Sequence, residues 1–531
     1  MSSMNTKKAI WITRLIPVVM TVTALLFAAA AHAAVPGITG PTFNLSAEAS
    51  FISQPDGSMV YSWGYGCATT FTPQFAPFSA GTVGCPTMQI PGPTLIVHEG
   101  DTVSVTLTNN LPAAAGNTSI LFPGFQVTPS GGVGGLLTKE AQHGSAVTYT
   151  FTATTPGTRS YYSGTQGDLQ VEMGLFGAII VLPPSGASGV PTGCRAVQTN
   201  LPDGQADFRL AASAYDHPAT CYDREYLFQF SEMDPKIHRQ AEEQAAKPCT
   251  NATGCMNVVT ENYHPAYFMI NGRSMPDDMD PNYAVQYPHQ PYNGNPHMHP
   301  GELVLLRIVG QGRWQHPFHE HGNHVRVLAR DGNLILAKEM ATPAHLAGPL
   351  LFTTTTTPGQ AMDGIFYWTG KGLNWDVYGH GFTGDTSDCF PDVNGYYTRL
   401  RTSPLVADSA SREPNYYEWC ADHNKALEKS PFGTVAGEGP ATLPDANILT
   451  NGAWYGGSPY LGPDATVRAS GPTGSTPPSG TIANSPTQEA GFAFMWHSHN
   501  EREITTNNIF PGGMMMMMMV DPQFFAINEA L

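Results

Sequence analysis

The chain has 531 residues, of which 41% are hydrophobic and 13% charged, with 55 Gly, 45 Pro and a formal charge of −17. Its aromatic content excludes a disordered chain. The scarcity of charge beside so much Gly and Pro argues against long helices and coiled coils, and the acid surplus argues against a nucleic-acid partner. Two counts stand out: 18 His and 8 Cys.

In chain order, Lys7, Lys8 and Arg14 precede an apolar stretch from Leu15 to Ala30, and Ala31-His32-Ala33 supplies a small-x-small cleavage site. Residues 1–33 therefore read as a secretory signal, with a secreted or periplasmic protein and no stable membrane span after cleavage. A first β-sandwich is expected over 34–190. Its strands show in the alternation from Gly100 to Thr108 and in Val147–Ala153 and Gly177–Leu182. A connector follows over 191–260, with a helix expected from Ser231 to Lys247, capped by Ser231 and opened by Pro235. A second sandwich is expected over 261–430, then an insertion over 431–490 rich in Gly, Pro, Ser and Thr. Strands over 491–531 complete the second sandwich or form a third.

An internal duplication supports two sandwiches. Gly100-Asp101 and Gly301-Glu302 each open a strand, about 201 residues apart, and each is followed by a Thr-Thr-Pro-Gly turn, at 154–157 and at 356–359. A third fragment, Phe494 to Val520, matches Tyr161 to Val181. The run Met514–Met519 reads as a core strand, since alternate methionines face opposite sides of a sheet and six cannot converge on one ion. Export makes disulfides plausible. Proximity pairs Cys67 with Cys85, Cys194 with Cys221, Cys249 with Cys255, and Cys389 with Cys420.

Seven histidines fall between His289 and His324. Within His316-Pro317-Phe318-His319-Glu320-His321-Gly322, a strand would point His319 and His321 to the same face. Trp496-His497-Ser498-His499 is a second His-x-His pair. On neighbouring strands the two pairs would offer four imidazoles, a donor set suited to copper, zinc, iron or nickel. His316 and Glu503 are further candidate ligands.

These motifs, with Gly92-Pro93-Thr94, Gln170 to Gly177 and Ile270-Asn271-Gly272, resemble the multicopper oxidases, laccase-like proteins built from cupredoxin sandwiches. The resemblance implies an all-β fold of tandem cupredoxin-like Greek-key β-sandwiches with long loop insertions and a short helix. It also implies a blue copper and a three-copper cluster held by four His-x-His pairs. His319, His321, His497 and His499 match two of those pairs. The other two are absent: the expected places read Leu121-Phe122-Pro123 and Tyr162-Ser163-Gly164. At the blue copper position His316 matches one ligand, but Ser498 stands for the cysteine, Glu503 for the second histidine, and the axial position falls near Asn508. An alcohol cannot replace the thiolate. The expectation is one or two non-blue copper ions on His316, His319, His321, His497, His499 and Glu503. The protein would oxidise a small donor, such as a phenol or a metal ion, with oxygen. The alternative is a non-catalytic scaffold for metal binding or an exported structural role.

Overall fold

The computed structural model describes residues 35–68, 84–184, 190–201, 205–371, 392–396, 457–461, 490–521 and 526–529. The expected leader, the Cys389/Cys420 pair and most of the 431–490 insertion lie outside the described residues. No helix among them is long and apolar enough to cross a membrane.

The first sandwich contains β1 (Ile38–Thr39), β2 (Thr42–Ser53), β3 (Met59–Cys67), β4 (Leu95–His98), β5 (Thr102–Asn109), β6 (Thr128–Gly131), the ribbon β7 (Val133–Gly134) and β8 (Lys139–Glu140), β9 (Ala146–Thr152), β10 (Gly157–Tyr162) and β11 (Phe176–Leu182). One sheet runs β3-β2-β5-β9-β6 and the other β1-β4-β11-β10. In β5 the alternation predicted from sequence is realised: Val103, Val105 and Leu107 are fully buried while Ser104 and Thr106 are half-buried. They join Phe43, Trp63 and Tyr161 in one core. A short helix, α1 (Gly167–Gln170), leads into β11.

The second sandwich begins earlier than the sequence suggested. The stretch 191–260, read as a connector, supplies β12 (Arg224–Met233) before α2 (Pro235–Ala245). Ser231 does not cap this helix. Ser231 to Met233 stay extended because they pair with Met269 to Tyr267. The cap is Asp234, whose side chain accepts the Lys236 N–H at 2.9 Å, with Pro235 in the first turn.

Then come β13 (Tyr267–Ile270), β14 (His297–Met298), β15 (Leu303–Gly310), β16 (His316–Glu320), β17 (Val325–Arg330), β18 (Asn333–Leu334), β19 (Leu350–Leu351), β20 (Thr353–Thr356), β21 (Ala361–Tyr367), β22 (Gly457–Leu461), β23 (Ala490–Ser498) and β24 (Met515–Val520). One sheet runs β13-β12-β15-β21-β17-β18, with β19 also on β17. The other runs β14-β24-β23-β16-β20, with β22 on β23. The C-terminal strands therefore complete the second sandwich.

The two sandwiches share one topology. The order β3-β2-β5-β9-β6 corresponds to β13-β12-β15-β21-β17, and β4-β11-β10 corresponds to β14-β24-β23. Both copies pair their first long strand in parallel with the strand opened by Gly100 or Gly301. Those glycines have φ of 89° and 86°, a region open to glycine. The acid after each closes the same turn: Asp101 accepts the His98 N–H at 2.8 Å and Glu302 the His299 N–H at 2.7 Å. The second landmark of the sequence repeat does not correspond. β5 pairs with β9, but β15 pairs with β21, which lies after the second Thr-Thr-Pro-Gly turn instead of before it. Strand pairing, not the turn motif, sets the equivalence.

Disulfides join Cys67–Cys85, Cys194–Cys221 and Cys249–Cys255, as proximity suggested. Between the sandwiches, Ile96, Ala178 and Ile180 pack on Leu227, Val309 and Ala361. Beside this apolar seam, buried Asp363 accepts hydrogen bonds from Thr158 N (3.1 Å), Thr158 Oγ1 (2.6 Å) and Tyr215 Oη (2.5 Å). Arg307 lies 3.8 Å from Asp363, and its Nε donates to Glu225 at 2.9 Å. Removing one partner from such a network leaves uncompensated buried polarity. Asp363→Ala is expected to cost about 3 kcal/mol or more, read as a lower denaturant midpoint; an unchanged midpoint would show that the seam does not depend on it.

Candidate metal centre

Two strands build the site. β16 and β23 pair antiparallel, with Phe318 opposite Ser498, His319 opposite His497 and Glu320 opposite Trp496. Parity then sorts the side chains. Phe318 and Trp496 point into the core, where both are fully buried, together with Phe492 and Phe494. His319, His321, His497 and His499 share the opposite face. Trp496 Nε1 donates to the His321 carbonyl at 2.9 Å and ties the end of β16 to β23.

On that outer face the ligand atoms of His319, His321 and His497 all lie within 4.8 Å of one another. His497 Nε2 and His321 Nε2 are 3.2 Å apart. Two imidazoles bound to one ion in tetrahedral geometry have nitrogens about 3.3 Å apart, so this pair already has that spacing. His497 Nδ1 donates to the Ser498 carbonyl at 2.7 Å, which leaves Nε2 as its ligating atom. His319 Nδ1 is 2.7 Å from Thr353 Oγ1, which orients its ring in the same way. The His499 ring centre lies 4.8 Å from that of His319, but its side chain is half exposed, 3.7 Å from Glu501. Burial, with the neighbouring His497 and His499, pulls the His319 pKa down to about 4, and burial also lowers that of His497. Both rings are therefore neutral near pH 7, the form that binds a metal.

His316 does not join them. It is three residues from His319 and on the inner face, fully buried. Nδ1 bonds Glu503 Oε2 at 2.9 Å and Nε2 bonds Glu232 Oε2 at 3.0 Å, so neither ring nitrogen is left for a metal. Glu503 is held in turn by Ser498 Oγ at 2.5 Å and Asn500 Nδ2 at 2.8 Å. Glu503 is thus a buried partner of His316, while Arg502 beside it bonds Asn508 Oδ1 and the Pro265 carbonyl. The three residues matched to blue copper ligands do converge, but as a hydrogen-bonded acid–imidazole–acid chain. Thiolate chemistry has no donor there, and the residues present do not fit a blue copper.

Sequence reasoning missed Glu232 and Thr353. Glu232 sits on β12, in the stretch read as a connector. Besides His316 it accepts the Arg313 and Trp314 N–H groups at 2.7 and 2.9 Å. Thr353 lies in a threonine run with nothing local to mark it.

The first sandwich fixes the absent half of the cluster. Gly157 opposes Val181 and Phe492 opposes Val520, and those two valines occupy corresponding places beside β4 and β14. Tyr162 is thereby the counterpart of His497, and Gly164 of His499. Leu121 bridges Tyr162 as His319 pairs with His497. Hence Leu121, Pro123, Tyr162 and Gly164 stand where the second sandwich has four histidines. Nearby polar groups are tied to one another: Ser119 Oγ to Thr165 Oγ1 (2.8 Å), Thr165 to Glu140 (2.9 Å) and Ser163 to Gln170 (2.7 Å). These residues do not fit a three-copper cluster.

A family model described as multicopper oxidase matches residues 79–186. The multicopper oxidase VdtB of Byssochlamys spectabilis is 38% identical over 104 residues, which is 19% of this chain and 14% of that protein. Laccase abr2 of Aspergillus fumigatus is 38% identical over 98 residues, 18% of this chain and 16% of that protein. The chain therefore matches only a small part of the length of these relatives. The solved blue copper oxidase from Nitrosomonas europaea aligns at 15% identity over 90% of this chain and 85% of its own, with a TM-score of 0.41. The sequence likeness to multicopper oxidases is thus confined to residues 79–186, which hold β4 to β11 of the first sandwich. The matched stretch lies in the first sandwich, whereas the imidazole cluster lies in the second.

The inner network sets a pH dependence. Burial opposes a charge on His316, but the hydrogen bonds and charges of Glu232 and Glu503 outweigh it and hold its pKa up at about 9. A histidine raised above its ordinary value contributes stability in full below about pH 6.5 and loses it as pH rises through about 9. The thermal midpoint is expected to fall between pH 7 and 9, and His316→Gln to flatten that fall. Parallel curves for the two proteins would contradict the assignment.

Proposed function

We propose that the chain is an exported, multicopper-oxidase-like oxidoreductase that binds copper at a degenerate, non-blue site. His319, His321 and His497 hold the ion, with His499 as a fourth donor at the exposed edge. The observation that carries this reading is the convergence of three imidazoles on one sheet face, with two nitrogens at 3.2 Å. The match of residues 79–186 to the multicopper oxidase family model supports copper as the metal. One ion per chain is the stoichiometry this donor set supports, and His316 and Glu503 belong to the inner network. When bound, copper would supply one-electron redox chemistry toward oxygen and a small donor such as a phenol or a metal ion. The chain's own residues hold the ion, and Thr353 and the Ser498 carbonyl orient two of its imidazoles. Three disulfides and the apolar leader support export to an oxidising compartment.

A second reading, a metal-binding scaffold without turnover, is favoured by one observation: Ser498 stands where the resemblance expects the blue-copper cysteine. Metal content and oxygen uptake separate the two. Wild type purified with copper should retain about one ion per chain and consume oxygen with a phenolic donor until a chelator is added. His497→Ala with His499→Ala should lose both. Metal content unchanged in the double variant would exclude the site, and retained metal without oxygen uptake would leave the scaffold.

A further inference from the structure

Alternation along β24 divides the methionine run. Met514, Met516 and Met518 are fully buried in the core of the second sandwich. Met515, Met517 and Met519 fall on the opposite face, where Met515 is 5% exposed and Met517 and Met519 are half-buried. That is the face of the imidazole cluster. His497, opposite His319 on one side, is opposite Met515 on the other, so the three form one row across β16, β23 and β24. Two residues back along β23, Met495 opposes Met517 in the adjacent row. Directly opposed residues of an antiparallel pair have Cβ atoms about 4.5–5.5 Å apart. A methionine side chain has three rotatable bonds with which to close that gap.

From this juxtaposition we infer that Met495, Met515 and Met517 form a thioether site for a soft monovalent cation, Cu(I), continuous with the imidazole cluster. Thioether sulfur is neutral and polarisable. It binds Cu(I) well and contributes little to Cu(II) or Zn(II), for which the imidazoles are the better donors. The face therefore carries two donor sets in register, a harder one at His319, His321 and His497 and a softer one at Met495 on β23 with Met515 and Met517 on β24. A reduced ion shifts toward sulfur and an oxidised ion toward nitrogen, without any change in the fold. This inference rests on the proposed imidazole site only for its neighbour; the thioether site is tested separately.

The probes are Cu(I), titrated anaerobically against a chromogenic Cu(I) chelator, and Zn(II) alone. The protein is the full chain. Met→Leu conserves volume, so the combined Met495→Leu, Met517→Leu variant should fold, and Met515→Leu is prepared as an independent second variant. In each, Cu(I) affinity should fall about tenfold or more, while Zn(II) affinity stays within about twofold. X-ray absorption at the copper edge should show a sulfur shell in Cu(I)-loaded wild type that weakens in both variants. Cu(I) affinity and sulfur scattering unchanged in both would overturn the inference, even where Zn(II) still binds. A wild type that binds Cu(I) through sulfur but no Zn(II) would instead sink the imidazole site and leave the thioether site standing.

Discussion

The pairing of His319 with His497 across β16 and β23 fixes the parity of both strands, and the chemistry of the second sandwich follows from that parity. Odd-numbered positions carry the imidazoles outward, and through β24 they carry a row of thioethers beside them. Even-numbered positions carry Phe318 and Trp496 into the core, and His316 and Ser498 inward to Glu503 and, for His316, Glu232. A register slip of one residue would exchange the two sets, turning the His319 and His497 rings into the core and taking His316 away from Glu503 and Glu232. The Trp496–His321 hydrogen bond and the aromatic packing of Phe318 on Trp496, at 6.1 Å between ring centres, oppose such a slip.

Duplication gives the first sandwich the same frame without the histidines. Its strand order, glycine turn and acid-closed corner repeat those of the second, yet Leu121, Pro123, Tyr162 and Gly164 occupy the corresponding outward places. The inward serine is common to both copies. Ser163 donates to Gln170 and Ser498 to Glu503, so each sandwich closes the same corner with a hydroxyl and a polar side chain. The fold persists because it depends on buried strand faces and on the seam around Asp363 and Arg307, neither of which requires a metal.

Much of this was legible in the sequence because strand chemistry has a period of two. His319 and His321, and likewise His497 and His499, are separated by one residue, so any strand would put each pair on one face. Leu121 and Tyr162 were located by the family resemblance, and the strand register pairs them with each other as it pairs His319 with His497. What failed was non-local. Glu232 engages His316 from a strand 84 residues away in the chain, and no local pattern marks such a contact. Ser231 looked like a helix cap because capping chemistry was weighed without the pairing to Met269 that keeps it extended. The Thr-Thr-Pro-Gly turns matched as strings but fall at different places in the two topologies. The methionine run was correctly split by alternation, but which half faces the histidines depends on the partner strand.

The central claim is that this sheet face holds a single copper in imidazoles, with the blue-copper position filled by Ser498, Glu503 and His316. Electron paramagnetic resonance of the Cu(II)-loaded full chain, recorded with its visible spectrum, tests it most directly. One copper signal with nitrogen hyperfine coupling, wide parallel copper splitting and no intense band near about 600 nm is the result predicted for a site without thiolate. A narrow parallel splitting with a strong band at about that wavelength would mean that a cysteine reaches the metal, and would contradict the assignment.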